Sequence, residues 1–259
     1  MEEKRRLGEE MLEESSVEEM KQDALGAIST KVDIVFCIDV TGSMQPTIQK
    51  VKDLTLSLYD DLVSTMDSEY QRRVDTMRVK VIAFRDYYCD GNQAMLESDF
   101  FTLPAEKEKF HKFVSGLEAV GGGDEPENSL EALALAMKTD WVKVSDPNRE
   151  KARNVIVMFT DASAHPLEKQ SGGVTSYYPS DMLKNYNELY EAWQGQGKIE
   201  YSMNKDAKRL IVFAPEDSYP WNDIAEEFDN TAVVSINEAD GGSDLGRSTI
   251  IATISGSMK

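Results

Sequence analysis

Apolar residues follow two rhythms along this chain. One is the dense run. Residues 32–39, 78–84, 100–103, 154–159, 209–214 and 231–236 are each dominated by Val, Ile, Leu, Phe and Ala, and each predicts a strand. The other is helical spacing. Ile48, Val51, Leu54, Leu58 and Leu62 recur three or four residues apart, as do Phe110, Phe113, Val114 and Leu117. Leu130, Leu133, Ala134, Met137 and Trp141 mark a third helix, and Met182, Tyr186, Leu189 and Trp193 a fourth. Residues 221–228 read as helical, and Ile251, Ile254 and Met258 suggest a closing helix. Asp90-Gly91-Asn92 is a turn signal between the second and third strands, which predicts an antiparallel hairpin there.

Strands that are apolar on both faces are covered on both faces, as in a parallel sheet between helices. Alternation of such strands with helices predicts a doubly wound α/β fold. The expected sheet is mainly parallel and six-stranded, in the order 3-2-1-4-5-6, with a short antiparallel edge strand. Ligands of such sheets bind beyond the carboxyl ends of the strands, at the switch point. In that order the first and fourth strands are neighbours, and Asp39 and Asp161 come side by side.

Residues 1–30 break the pattern. They carry nine acids and four bases, with only a weak apolar stripe at Met11, Leu12 and Val17. They read as a helical or partly disordered acidic extension, and residues 31–259 as one domain. The formal charge of −19 argues against nucleic acid and against anionic membranes. Two cysteines are too few for a disulfide framework, and Cys37 lies within a strand as a small core residue. No stretch is long and apolar enough to span a bilayer, and the amino-terminal residues lack the apolar core of a signal peptide. A cytoplasmic setting is expected.

The candidate chemistry lies at the strand ends. Asp39, Thr41 and Ser43 put a carboxylate and two hydroxyls at alternate positions where the first strand stops. Oxygen-only ligands in one short turn suit a hard divalent cation such as Mg²⁺. Each of the three is also a good helix N-cap. Asp161, at the end of the fourth strand, favours the metal: two facing carboxylates repel unless a positive charge lies between them. A third segment, GGGDEPEN at 121–128, precedes a helix. Its glycines permit close backbone approach and Pro126 suits a first helical position. It reads either as a hinge whose acids favour the helix dipole, or as a third ligand loop through Asp124 or Glu127.

DVTGS, GGGDEPEN and FTDA, in this order and on these elements, resemble the metal-ion-dependent adhesion site of a von Willebrand factor A (vWA) domain. The resemblance covers roughly residues 31–258 and implies a Rossmann-like vWA fold. Asp39, Thr41 and Ser43 match the family's DxSxS, with Thr for the first Ser, and Asp161 matches the aspartate of its third motif. The middle loop lacks the family's usual Thr. Its Asp124-x-Pro126-Glu127 is similar to the D-x-P-E segment of integrin beta-subunit domains, which assigns Glu127 to the metal, with Asp124 as second choice. The resemblance implies a Mg²⁺ (or Mn²⁺ or Ca²⁺) ion held by Asp39, Thr41, Ser43, Glu127 and Asp161, and a partner protein whose Asp or Glu completes the coordination. It also implies a role in assembly or signalling, as for intracellular relatives that act beside kinases, phosphatases or AAA+ ATPases.

Other features stay open between contact and packing: the long segment 162–180 with Tyr177 and Tyr178, and Arg85-Asp86-Tyr87-Tyr88 after the second strand. His165 reads as a loop residue and His111 as structural. The enzymatic alternative, a Mg²⁺-dependent hydrolase or phosphotransferase with Asp39 as nucleophile, lacks a second Asp at position 41. The sequence has neither a P-loop nor a nucleophile elbow. A non-enzymatic module is expected; a scaffold with a dead site is the remaining alternative.

Overall fold

A computed structural model describes residues 29–70, 74–123, 125–145, 150–167, 176–236, 251–252 and 255–256. Of the acidic extension expected over residues 1–30, residues 1–28 lie outside that set, and Ser29 and Thr30 open the first strand. Strands β1 (Ser29–Asp39), β2 (Val74–Phe84), β3 (Met95–Glu97), β4 (Phe101–Leu103), β5 (Glu150–Phe159), β6 (Lys208–Pro215) and β7 (Thr231–Ile236) form one sheet in the order β3-β2-β1-β5-β6-β7, with β4 also on β2. Helices α1 (Ile48–Tyr70), α2 (Tyr87–Asp90), α3 (Lys107–Ser115), α4 (Ser129–Lys138), α5 (Tyr186–Trp193) and α6 (Trp221–Glu227) connect them.

β1, β2, β5, β6 and β7 run parallel, and β3 and β4 run antiparallel to β2. The mainly parallel, doubly wound sheet is therefore the expected one, with seven strands in place of six. The antiparallel edge comes in two pieces because Ser98 interrupts it. Its main-chain N–H donates to Val81 O at 2.9 Å, but its hydroxyl, not its carbonyl, accepts from Val81 N at 3.0 Å. The predicted hairpin turn also holds more structure than a turn, namely α2 and a 3-10 turn at Gly91–Gln93.

Alternation along β1 builds two cores. Ile34, Phe36 and Ile38 pack on one side with Leu54, Leu58 and Leu62 of α1 and Phe110 and Val114 of α3. Val35 and Cys37 face the other side with Leu130 and Leu133 of α4, Trp193 of α5 and Ile224 of α6. The strands extend further toward their amino ends than the apolar runs suggest. There the extra residues are charged and pair across strands. Lys31 meets Glu150 at 2.9 Å, and Asp75 accepts from the Thr30 N–H at 2.9 Å. Just inside the predicted runs, Arg78 makes a bidentate contact to buried Asp33 at 2.9 and 2.5 Å.

Several helix boundaries differ from expectation. α3 ends at Ser115 and α4 at Lys138, so Leu117 and Trp141 lie beyond the helices they are expected to mark. α4 starts at Ser129, after a cis Glu125–Pro126 peptide, so Pro126 precedes the helix and does not open it. α5 starts at Tyr186 because Asn185 caps it, its Oδ1 accepting from Glu188 N at 2.9 Å, which leaves Met182 in the preceding loop. Of the closing helix, residues 251–252 and 255–256 are helical, while Ile254 and Met258 lie outside the described residues.

β1 and β5 stay in uninterrupted parallel register from Ser29↔Glu150 to Ile38↔Phe159. Their carboxyl ends therefore finish level. That brings the loop after Asp39 against the loop after Phe159, at the switch point of the sheet.

Candidate metal centre

Asp39 ends β1 fully buried. Its Oδ1 accepts from the Thr41 N–H at 2.9 Å and from the Thr41 hydroxyl at 2.6 Å. Its Oδ2 accepts from the Thr160 hydroxyl at 2.8 Å. Thr41 Oγ1 lies 3.0 Å from Ser43 Oγ, and the Ser43 hydroxyl reaches Asp161 Oδ1 at 3.0 Å. The two strand-end aspartates are thus joined by an unbroken line of oxygens. Thr41 stands at the N-cap position of the Gly42–Met44 turn but makes no side-chain cap bond. Its hydroxyl turns inward to Asp39, so the capping reading does not describe it.

Counting protons in that line is informative. Asp39 to Thr41, Thr41 to Ser43 and Ser43 to Asp161 are three oxygen–oxygen contacts. Two hydroxyls supply two protons. With both aspartates ionised, one contact brings two oxygens together with no hydrogen between them. A third proton or a cation relieves it. Burial, aided by the charge of Asp161 and opposed by the Thr41 and Thr160 bonds, raises the Asp39 carboxyl to about 7.

Glu127 approaches the same line from the middle loop. It is buried, and its Oε2 has no hydrogen-bond partner among the described residues. Burial first, then the charges of Asp39, Asp86, Asp90 and Asp161, lift its carboxyl to about 9. Gly122 brings it close: a Cβ at that position would stand 2.7 Å from both Glu127 Oε1 and Thr41 Cβ. Gly122 has φ 91°, in the left-handed region that its lack of a Cβ makes accessible.

Main-chain bonds fix the loops to one another. Gly42 N donates to Gly121 O and Val120 N to Val40 O, at 3.0 and 2.9 Å. Glu127 N donates to Ser163 O and His165 N to Glu127 O, which makes a small parallel bridge between Glu127 and Ala164. The middle loop is therefore tied both to the Asp39 loop and to the Asp161 loop.

Three further residues, assigned no role at the site from the sequence, hold the arrangement. The Arg85 guanidinium donates to the carbonyls of Val40, Gln93 and Glu118, at 3.2, 2.9 and 3.0 Å. Asp90 Oδ2 accepts from Gly122 N at 2.9 Å. Thr160 is the third. It stands beside Asp161 in FTDA, and its place at a strand end was the available signal.

Of the residues predicted from the sequence, Asp39, Thr41, Ser43 and Asp161 come together and Glu127 borders them. Asp124 lies outside the described residues. His165 instead faces Asp86, with Nε2 3.8 Å from Oδ2, and lies against the Tyr88 ring. His111 lies in α3 beside Phe110. In the segment after Asp161, Tyr178 is a packing residue: its hydroxyl donates to buried Glu131 at 2.8 Å and its ring meets Tyr87. Tyr177 and Tyr88 are exposed.

The oxygen set fits a hard cation. Among the described residues no three His, Cys, Asp or Glu side chains are gathered as a metal cluster. An ion here therefore relies on the Thr41 and Ser43 hydroxyls beside Asp39 and Asp161, with the unpartnered Glu127 oxygen in reserve. All these donors are oxygen, the preference of Mg²⁺.

A profile of the von Willebrand factor type A domain matches residues 34–164, half of the chain, spanning all three loops. The chain belongs to this family. Among characterised proteins, an alpha-protein kinase, vwkA, of Dictyostelium discoideum is 27% identical over 143 residues. The match takes in 54% of this chain but only 20% of the kinase, so the vWA chain spans about a fifth of its relative. Solved structures with a similar course include the pilus adhesin SpaC of Lactobacillus rhamnosus GG (TM-score 0.48, 13% identity, 88% of this chain and 32% of the adhesin). A von Willebrand factor type A protein of Catenulispora acidiphila gives a TM-score of 0.47 at 17% identity, over 87% of this chain and 43% of the other.

Proposed function

We propose that this vWA domain is a metal-dependent protein-interaction module without catalytic activity of its own. A Mg²⁺ ion is held by Asp39, Thr41, Ser43 and Asp161, with Glu127 contributing directly or through water. A carboxylate from a partner protein completes the coordination, as at a metal-ion-dependent adhesion site. The observation that carries this reading is the line of four side chains in which three oxygen contacts share two protons, beside a buried carboxylate oxygen with no partner. Such a site gains more from a cation than from remaining empty. Mg²⁺ suits the role because it keeps exchangeable positions for an incoming ligand.

A cytoplasmic assembly or signalling complex fits the rest of the molecule. Cys37 and Cys89 are both thiols, the latter exposed, as a reducing compartment allows. No helix among the described residues is long and apolar enough to cross a membrane. The one curated relative named here carries a kinase name, which accords with a signalling context.

The test is calorimetric titration with Mg²⁺, followed by capture of partners from lysate in Mg²⁺ and in EDTA, with Asp39→Ala as control. The expected result is one bound ion and a partner retained only by wild type in Mg²⁺. Absence of ion binding, or the same retained proteins in all three lanes, overturns the reading.

A further inference from the structure

The surface around the ion site has two properties that bear on what can dock there. The first is its apolar content. The large hydrophobic side chains exposed among the described residues are Tyr88, Leu96, Val120, Tyr177, Ile199 and Tyr219. Four of them, Tyr88 in α2 and Val120, Tyr177 and Tyr219 in loops, belong to connections at the carboxyl end of the sheet. The contacts connect them to the site. Tyr88 adjoins Cys89, and Cys89 Sγ fills the space beside Gly123. Tyr177 packs on Gly91, next to the Asp90 that holds Gly122. Val120 bonds to Val40. The Tyr219 carbonyl accepts from Ala164 N at 2.8 Å, three residues past Asp161. Tyr177 is 57% exposed and Tyr219 43%.

The second property is charge. The connections at this end carry exposed Glu118, Glu125, Glu216 and Asp217 and half-buried Asp90, against exposed Lys50 and half-buried Lys52. Of the cations at this end, Arg85 is occupied by three backbone carbonyls, and Lys52 near the start of α1 reaches the Ser115 carbonyl. A divalent ion compensates Asp39 and Asp161 but leaves this rim anionic. A partner that brings a carboxylate to the ion meets repulsion from the rim unless its own surroundings are positive. Tyrosine faces also favour cations, most of all guanidinium groups.

We propose that the partner face for this domain is cationic: a segment rich in Arg and Lys that presents a single Asp or Glu to the ion. The acid supplies the ligand, the flanking cations match the acidic rim, and Arg side chains lie over Tyr177, Tyr88 or Tyr219. The proposal rests on the metal-dependent reading above and goes on to name its partner's chemistry.

The experiment is selection from a random peptide display library on the immobilised full chain in Mg²⁺, with elution by EDTA and a parallel selection on Asp39→Ala. The expected EDTA-eluted pool combines one acid with an excess of Arg and Lys and is missing from the Asp39→Ala arm. Its peptides bind more weakly as salt rises from about 50 to about 300 mM. They also bind about fivefold more weakly to a Tyr88→Ser, Tyr177→Ser variant. An EDTA-eluted pool with an acid but no excess of cations overturns the proposal and leaves the metal-dependent reading standing. Pools that are the same on wild type and Asp39→Ala overturn both.

Discussion

Thr160 Oγ1 donates a 2.8 Å hydrogen bond to Asp39 Oδ2 across the β1–β5 junction, while Thr41 occupies Oδ1. Asp39 is therefore held at both oxygens, and one of its anchors comes from the strand that carries Asp161. Thr160→Val keeps the shape and removes the anchor. The expected result is a 10- to 100-fold loss of Mg²⁺ affinity, roughly the effect of removing a group that orients a metal ligand. Calorimetric titration measures it; an unchanged affinity means Thr41 alone orients the carboxylate.

Ser43→Ala separates ion binding from stability. In the ion-free protein Ser43 takes part in the contact that lacks a proton, so its removal relieves crowding. The melting temperature without ion should stay level or rise. Mg²⁺ affinity should fall by about tenfold or more, since a hydroxyl ligand is lost. A variant that is both less stable and equally tight for Mg²⁺ contradicts the proton count.

Gly122→Ala tests the close approach of three loops. A methyl group there meets Glu127 and Thr41 at 2.7 Å with the backbone at φ 91°. Left-handed backbone costs of order 1–3 kcal/mol outside glycine. The melting point should drop by several degrees, and ion binding should weaken because Glu127 and Thr41 are the groups displaced. Gly116→Ala, whose contacts are ordinary at 3.4 Å, is the control.

Glu131 gives a pH signature away from the ion. Burial, opposed by hydrogen bonds from Tyr178 and Asn128, lifts its carboxyl to about 7 from an ordinary value of 4.5. Between those values the folded chain keeps a proton that the unfolded chain has released. Its contribution to stability is complete below 4.5, declines as pH rises, and is lost above 7. Glu131→Gln is neutral throughout and keeps the acceptor for Tyr178. The melting temperature of the variant, relative to wild type, should be higher at about pH 8 than at about pH 5. A constant difference would place the Glu131 carboxyl at its ordinary value.

Much of this molecule is legible without coordinates, for a physical reason. Central parallel strands are apolar on both faces, so β1, β5 and β6 announce themselves, and the Val-rich run of the edge strand β7 is legible as well. Asp39, Thr41 and Ser43 stand in one contiguous turn, and Asp161 follows an unmistakable strand. The edge was harder to read because Ser98 uses its side chain where a strand uses its backbone. The amino ends of β1, β2 and β5 were hidden by charged residues that pair across the sheet, such as Lys31 with Glu150. Arg85 and Asp90 were illegible for another reason. They act on main-chain atoms up to 45 residues away, and no local pattern encodes a bond of that kind.

The level, unbroken register of β1 and β5 has a mechanical consequence. Any pull on an ion seated between Asp39 and Asp161 is delivered to the tips of two adjacent parallel strands together. Tension then runs along both strands together, so they do not slide past each other, and the load passes in shear to the ladders that join β1 to β2 and β5 to β6. Bonds loaded that way give way collectively, whereas bonds at a peeled edge open one after another. A tether engaged at this point is attached to the stiffest direction of the sheet.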